Sequence, residues 1–306
     1  MTKRLRVGTR GSPLALSQTE LAVRALQRVD RSLEVEVVPI RTSGDRTRGT
    51  GPSLDFTDEI DQRLASGDVD LAVHSAKDLP AAPVPSVRVA AYLRRADPRD
   101  CLVLRVHGTL DRLHRGARLG SSSVRRRAQL LALRPDLDIV PIRGNIGTRI
   151  DRVEADGLDG VVLAAAGLQR LGWADRISEV LSTSRCLPAP GQGAIAIEVR
   201  EGDRTAARVL ARIDHRPTRA AVEAERAVVR SLGGDCDLPL GALAQVGAGR
   251  LRLKAALFTT DGRLRLASES SGSVARASDI GLRVGQTLGA FGGATVLRDR
   301  RVDLGR

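Results

Sequence analysis

The feature that most narrows the folds open to this chain is the alternation of strand-like and helix-like segments through its first two-thirds. Leu5 to Thr9 reads as a strand, and Ser12-Pro13 then supplies an N-cap and an N1 proline for an amphipathic helix to about Arg28. Leu33 to Arg41 is β-branched and alternating, Phe56 to Ser66 is helical, and Val69 to His74 is a short apolar strand. A second set follows: Cys101 to Arg105, a helix from Val124 to Leu133, Ile139 to Ile142, a helix from about Thr148, and the apolar strand Gly160 to Ala164. Strands that alternate with helices predict parallel sheets covered on both faces, so the expected class is α/β with two such units.

From about Thr218 the texture changes. A helix from Thr218 to Leu232 precedes the glycine-rich Gly233-Gly234-Asp235-Cys236, and Leu238 to Val246, Leu251 to Thr260 and Leu264 to Ser271 read as strands. Asp261-Gly262 is a hairpin signal between the last two, and Asp279 to Leu288 reads as a final helix. The tail is thus a small α+β domain. A length of 306 residues is twice the ~150-residue prior for one domain and fits two or three.

Charge narrows the partners. Lys+Arg outnumber Asp+Glu by 49 to 36, a net +13 that suits an anionic ligand. Only Lys3, Lys77 and Lys254 are lysines, so much of the arginine is coding background on solvated surface. Aromatic residues make up 2%, too few for the stacking platforms of single-stranded nucleic-acid binders, and the arginines form no continuous stripe. No nucleic-acid partner is expected. No run approaches the ~18 apolar residues of a membrane span, and Met1 to Leu5 leads into a strand without a signal-peptide core. The expected location is cytoplasmic, with no membrane partner. Cys101, Cys186 and Cys236 form no CxxC pair and are odd in number, so neither a disulfide framework nor a metal site is expected.

Chemistry is sought where strands hand over to helices. At Thr9-Arg10-Gly11-Ser12, Gly120-Ser121-Ser122-Ser123-Val124-Arg125-Arg126 and Arg143-Gly144-Asn145-Ile146-Gly147-Thr148-Arg149, cap residues sit beside arginine at an expected helix start. Arginine in a first turn opposes the helix dipole by ~0.3–1 kcal/mol, and three such placements predict a bound anion that reverses the sign. Guanidinium adds bidentate geometry for carboxylate or phosphate. Val73-His74-Ser75-Ala76-Lys77-Asp78-Leu79-Pro80 also lies at a strand carboxyl end, where ligands of open α/β sheets bind. Asp78 can stabilise a developing cation or shuttle a proton, or serve as an ordinary turn carboxylate; His74 reads as a structural histidine. Cys236, in a glycine-rich loop, is the best candidate for covalent chemistry, although two flanking aspartates would raise a thiol pKa if close.

Taken in order, these segments resemble the hydroxymethylbilane synthase, or porphobilinogen deaminase, family. The likeness runs through the stretches above and through Asp97-Pro98-Arg99-Asp100, Leu163-Ala164-Ala165-Ala166-Gly167-Leu168, Leu187-Pro188-Ala189-Pro190-Gly191-Gln192-Gly193 and Glu225-Arg226-Ala227. It implies two periplasmic-binding-protein-like α/β lobes plus a small C-terminal α+β domain: residues 1–93 with 194–212, 94–193, and 213–306. It implies a cytoplasmic monomer that condenses four porphobilinogen molecules head to tail into hydroxymethylbilane and hands the product to uroporphyrinogen-III synthase. A dipyrromethane cofactor, held covalently as a thioether, falls on Cys236. Asp78 matches the catalytic aspartate and Lys77 its neighbour. Arg125, Arg126, Ser75, Ser121, Ser122 and Ser123 match cofactor-binding positions, and Arg10, Ser12, Arg143, Arg149 and Arg170 match substrate-binding ones; no metal is implied.

Two departures stand out. The stretch from Thr42-Ser43-Gly44-Asp45 to Phe56 is short and lacks the lysine of the family's lid, and Asp235 replaces the glycine that usually precedes the cysteine. These leave two rivals: a paralogue with weakened or redirected pyrrole chemistry, and a two-lobed protein that captures a carboxylate ligand without turnover.

Overall fold

The structure, a computed structural model, describes residues 4–43, 57–82, 84–234 and 238–293. Cys236, Asp235 and the lid stretch 44–56 lie outside the described residues. The chain divides into two compact units, Met1–Ala96 with Ala194–Arg219, and Asp97–Gly193 with Ala220–Arg306.

In the first unit, β1 (Arg4–Arg10) runs parallel to β2 (Glu34–Ile40) on one side and to β3 (Leu71–Ser75) on the other. A late strand, β10 (Ile195–Arg200), is antiparallel to both β3 and β4 (Val87–Tyr92), giving the order β2-β1-β3-β10-β4. Alternation along β3 decides which layer each residue meets. Leu71 and Val73 join Leu5, Val7, Ile195, Ile197 and Leu26 of α1 (Pro13–Val29), whereas Ala72 packs with Ile60 and Leu64 of α2 (Asp58–Ser66). Helix α1 starts where expected because the Ser12 side chain accepts from Ala15 N and Pro13 fills the first turn. Helix α6 (Arg204–Leu210) adds Ala206 and Leu210 to the α1 layer.

The second unit repeats the pattern. Strands β5 (Asp100–Leu104), β6 (Arg118–Gly120), β7 (Asp138–Val140), β8 (Gly160–Ala164) and β9 (Glu179–Val180) lie in the order β7-β6-β8-β5-β9. Apolar layers cover both faces: Leu102, Leu119, Leu130 and Val162 on one, Cys101, Ile142, Val161 and Leu163 on the other. Helices α3 (Val124–Leu133), α4 (Ile146–Ala155) and α5 (Ala165–Arg170) follow β6, β7 and β8. After α7 (Arg216–Ser231), strands β11 (Leu240–Gly247), β12 (Arg250–Phe258) and β13 (Arg265–Ser273) form an antiparallel meander, and α8 (Ala277–Leu288) packs on it. Leu243, Ala256 and Phe258 of this sheet share a cluster with Ala128 and Leu187. Gly262 turns the β12–β13 hairpin at φ +75°, and a Cβ at Gly281 would overlap the Ala224 carbonyl where α8 lies against α7.

The expectation of wholly parallel sheets is corrected. Both five-stranded sheets are mixed, because β5 pairs antiparallel with β8 and β9, and β10 with β3 and β4. Strand β7 stops at Val140 because Pro141 has no N–H to offer a ladder. Helix α4 begins at Ile146, two residues before the expected Thr148, because Asn145 is the cap.

Candidate functional site

In the first unit the parallel strands β1 and β3 finish at the same sheet edge, since Val7 pairs with Leu71 and Gly8 with Ala72. Their carboxyl ends therefore bring Arg10 and Ser12 to the edge that also holds Ser75, Lys77 and Asp78. Lys77 and Asp78 are half-buried on a single 3-10 turn, Ala76–Asp78, which Ala76 pins by donating its N–H to the Ala194 carbonyl at 3.0 Å. The Ser12 hydroxyl accepts from Ala15 N as the cap of α1 and keeps its O–H to donate. His74 is buried on the α2 side of β3, within 3.3 Å of Glu198 Oε2.

In the second unit the helix starts after β6 and β7 lie side by side. Ser122 joins their loops: its hydroxyl donates to the Ile142 carbonyl at 2.7 Å and accepts from Ile142 N at 3.0 Å. Ser121 Oγ accepts from Ser123 N, and Ser123 Oγ accepts from Arg126 N as the α3 cap. At α4 the Asn145 side chain accepts from Thr148 N at 2.9 Å, and Arg149 Nε donates to the Gly144 carbonyl at 2.8 Å. Arg143 stands exposed just ahead of that helix and makes no ion pair among the described residues. Arg170, half-buried at the end of α5, donates to the Gly193 carbonyl at 2.6 Å. Burial brings its pKa down to about 10, which still leaves it charged at neutral pH.

Arg125 and Arg126 are not exposed ligands. Both are buried in the first turn of α3, where Arg125 Nη1 reaches Asp100 Oδ2 at 2.7 Å and Arg126 Nη2 reaches Asp100 Oδ1 at 2.8 Å. The same guanidinium groups donate to the Leu187 and Val162 carbonyls, and Gln192 Nε2 donates to Asp100 Oδ1 at 2.9 Å. Burial alone would push the Asp100 carboxyl up; the two guanidinium charges outweigh it and hold the group far below the usual carboxylate range. Burial likewise works against the charge on Arg125, and Asp100 more than offsets it. At this helix start part of the arginine charge is therefore balanced from within the chain. The chain carries its own anion, and two cations against one carboxylate leave one positive charge in excess.

Cys101 and Cys186 are free, buried thiols. Burial pushes both up to about 12, so neither is a nucleophile near neutral pH. Three participants were missed in the sequence: Asp100, Gln192, and Glu225, whose carboxylate accepts from Gly191 N at 2.7 Å and Ala244 N at 2.8 Å. A signal for Asp100 was present, since adjacent arginines in an apolar helix face require a buried counter-charge.

Two family models match the chain: "Porphobilinogen deaminase, dipyromethane cofactor binding domain" over residues 5–208 and "Porphobilinogen deaminase, C-terminal domain" over residues 219–290. Relatives named porphobilinogen deaminase include that of Thermus thermophilus, 44% identical over 96% of this chain and 98% of its own length. That of Leifsonia xyli is 45% identical over 95% and 93%, and that of Syntrophus aciditrophicus 42% over 96% and 97%. Among solved structures, the Methionine Binding Protein, MetQ, aligns with a TM-score of 0.42 at 14% identity, over 69% of this chain and 89% of that one.

Proposed function

The chain belongs to the porphobilinogen deaminase family, and from that premise we propose which of its side chains do the work. It is a hydroxymethylbilane synthase, a transferase that condenses four porphobilinogen molecules into a linear tetrapyrrole with loss of ammonia, and it uses a dipyrromethane cofactor. The observation that carries this reading is that the two family models between them span residues 5–208 and 219–290.

The donor set suits such a cofactor. Every pyrrole unit carries an acetate and a propionate, and the second unit offers the exposed Arg143 and the half-buried Arg149 beside the N–H groups that open α4. Arg170 adds a charge, and the Asp100 pair of arginines adds its excess one. When attached, the dipyrromethane supplies the nucleophilic pyrrole carbon that primes the chain. Cys236 is proposed as its thioether tether, and Arg125, Arg126, Ser75, Ser121, Ser122 and Ser123 as cofactor-binding residues. The hydroxyls of Ser121, Ser122 and Ser123 act chiefly by fixing the two helix starts, as their hydrogen bonds indicate.

Asp78 is proposed to accept a hydrogen bond from the substrate pyrrole N–H and to balance the positive charge that develops as ammonia departs. Its place on a short turn pinned at Ala76 supports that role, because a preorganised carboxylate needs no reorganisation when the charge appears. Lys77, Arg10, Ser12, Arg143, Arg149 and Arg170 are proposed to hold the substrate carboxylates. We further propose three domains, 1–93 with 194–212, 94–193 and 213–306, a monomeric state, a cytoplasmic location and delivery of product to uroporphyrinogen-III synthase. Among the described residues no helix is long and apolar enough to cross a membrane.

The test is to incubate the purified chain with porphobilinogen, follow ammonia and hydroxymethylbilane, and weigh the intact protein. The expected mass exceeds 32.6 kDa by one dipyrromethane, with turnover. An unmodified chain that releases no ammonia overturns the proposal in favour of a binding protein or an altered paralogue.

A further inference from the structure

We propose that Gln129 is a positioning residue for the cofactor: through the backbone of Leu187 it sets the direction of Arg125 and the seat of the C-terminal sheet on α3. The proposal rests on the reading above in which Arg125 binds the dipyrromethane and Cys236 tethers it. Gln129 follows Arg125 by four residues on α3, so the two side chains share one helix face. Both are buried. Gln129 Nε2 donates to the Leu187 carbonyl at 2.9 Å, and Leu187 N donates back to Gln129 Oε1 at 2.7 Å. The same carbonyl accepts from Arg125 Nη1 at 2.5 Å, which occupies its second lone pair.

Only an amide of this length serves both ends of that strap. An ionised carboxylate offers no donor to the carbonyl, an apolar side chain offers nothing to either group, and Asn is one methylene shorter. An apolar residue would suit the neighbouring packing, since Ala128 and Leu130 on either side are fully buried. What the amide adds is direction: with Leu187 held at both its N–H and its C=O, the acceptor that aims Arg125 is fixed. Arg125 Nε is buried and has no hydrogen-bond acceptor among the described residues, which leaves this donor for a ligand carboxylate.

The strap also carries the C-terminal sheet. The Pro188 carbonyl accepts from Ala242 N at 2.9 Å, and a Cβ at Gly241 would stand 2.5 Å from Leu187 Cβ, so β11 meets the strap backbone to backbone. Further along α3, a Cβ at Gly262 would stand 2.5 Å from the Ala128 carbonyl oxygen and 2.6 Å from Ala132 N, so the tip of the β12–β13 hairpin rests on the helix itself. Leu243, Ala256 and Phe258 share this joint with Ala128 and Leu187. Strand β11 begins at Leu240, four residues after Cys236. A change at Gln129 therefore acts on both ends of the cofactor's attachment, the guanidinium that binds it and the sheet next to its tether.

The test is a thermodynamic cycle on the full chain, with Gln129→Met placed on the cofactor-loaded wild type and on the cofactor-free Cys236→Ser background. Methionine keeps the length and loses both hydrogen bonds. A positioning residue is coupled to the cofactor, so the variant should lower Tm by more when the dipyrromethane is present; a purely structural residue costs the same in both. Rates of the loaded enzyme are divided by cofactor content from intact mass. On that basis kcat should fall about 10–100-fold with KM for porphobilinogen within about twofold, because Arg125 then holds the primer out of line while the substrate-binding residues are untouched. Equal Tm costs in the two backgrounds, or an unchanged kcat per cofactor, overturn the proposal. A Gln129→Met chain that folds yet takes up no cofactor supports it. Should that chain not fold, Gly262→Ala, which lifts the hairpin from the other side of the joint, goes through the same cycle with the same two criteria. A wild type without the dipyrromethane mass instead removes the functional reading on which the proposal stands, and the two failures are thereby told apart.

Discussion

Replacing Asp100 by Asn tests the buried charge cluster directly, because it exchanges one oxygen for an amino group and leaves the shape almost unchanged. In the wild type a single carboxylate with no solvent exposure faces two guanidinium groups at 2.7 and 2.8 Å. Removing one partner of a buried ion pair costs about 3–5 kcal/mol, since the other charge stays behind in a poorly solvating interior. Two cations are stranded here, which places the expected loss near the upper figure. At ~2–4 °C per kcal/mol for a chain of this size class, Tm should fall by roughly 10–20 °C. The folded carboxyl is held below its unfolded value, so its stabilisation is complete above ~4 and is lost as pH falls through the folded value. The Tm gap between wild type and variant should therefore be constant around neutrality and narrow in acid. Thermal melts followed by near-ultraviolet circular dichroism at a series of pH values give both quantities. Adding Arg125→Met should cost less on the Asp100→Asn background than on the wild type, because the stranded charge is removed with its partner. A Tm within about 3 °C of wild type, or a gap that ignores pH, would refute the reasoning.

Asp78→Asn should keep the Tm and lose ~10²–10³ in turnover, because an amide can hydrogen-bond but cannot balance a cation; near wild-type ammonia release would remove Asp78 from the mechanism. Arg143→Leu touches an exposed side chain without an ion pair among the described residues, so the melt should be unchanged while cofactor assembly or chain elongation suffers. An unaltered product yield would make it a surface arginine. Cys236→Ser should lack the dipyrromethane mass and make no tetrapyrrole, whereas Cys101→Ser and Cys186→Ser should retain both, at ~1–3 kcal/mol for a buried hydroxyl. In the native protein at pH 8 iodoacetamide should leave Cys101 and Cys186 unlabelled, since burial pushes both thiols up to about 12; rapid native labelling of either would contradict that burial.

The parts legible in the sequence are those set by local physics. Helix α3 has its expected span, Val124–Leu133, because Ser123 is a strong cap and Pro135 blocks continuation. The β12–β13 hairpin follows from Asp261-Gly262 for a similar reason. What escaped was set at long range. Nothing in the text of β5 or β10 says that each pairs antiparallel, since direction depends on where the chain returns from. The cationic character of the first α3 turn was visible, but its counter-charge lies 25 residues upstream on β5. Gln129 and Leu187 are likewise 58 residues apart and meet only in the fold.

The late arrival of β10 sets a timetable for synthesis. Among the described residues strand β4 pairs with no strand except β10, and β3 lacks its second neighbour until the same strand arrives. The ribosome must add about a hundred residues between Tyr92 and Arg200, which at ~5–20 residues per second takes roughly 5–20 s. Throughout that interval the nascent first unit presents two open strand edges, the kind of surface that templates aggregation. Segments 97–193, meanwhile, contain all five strands of the other large sheet and can close it before the first is complete. The last strand of the second sheet is thus translated before the last strand of the first, the reverse of the order in which their first strands are made.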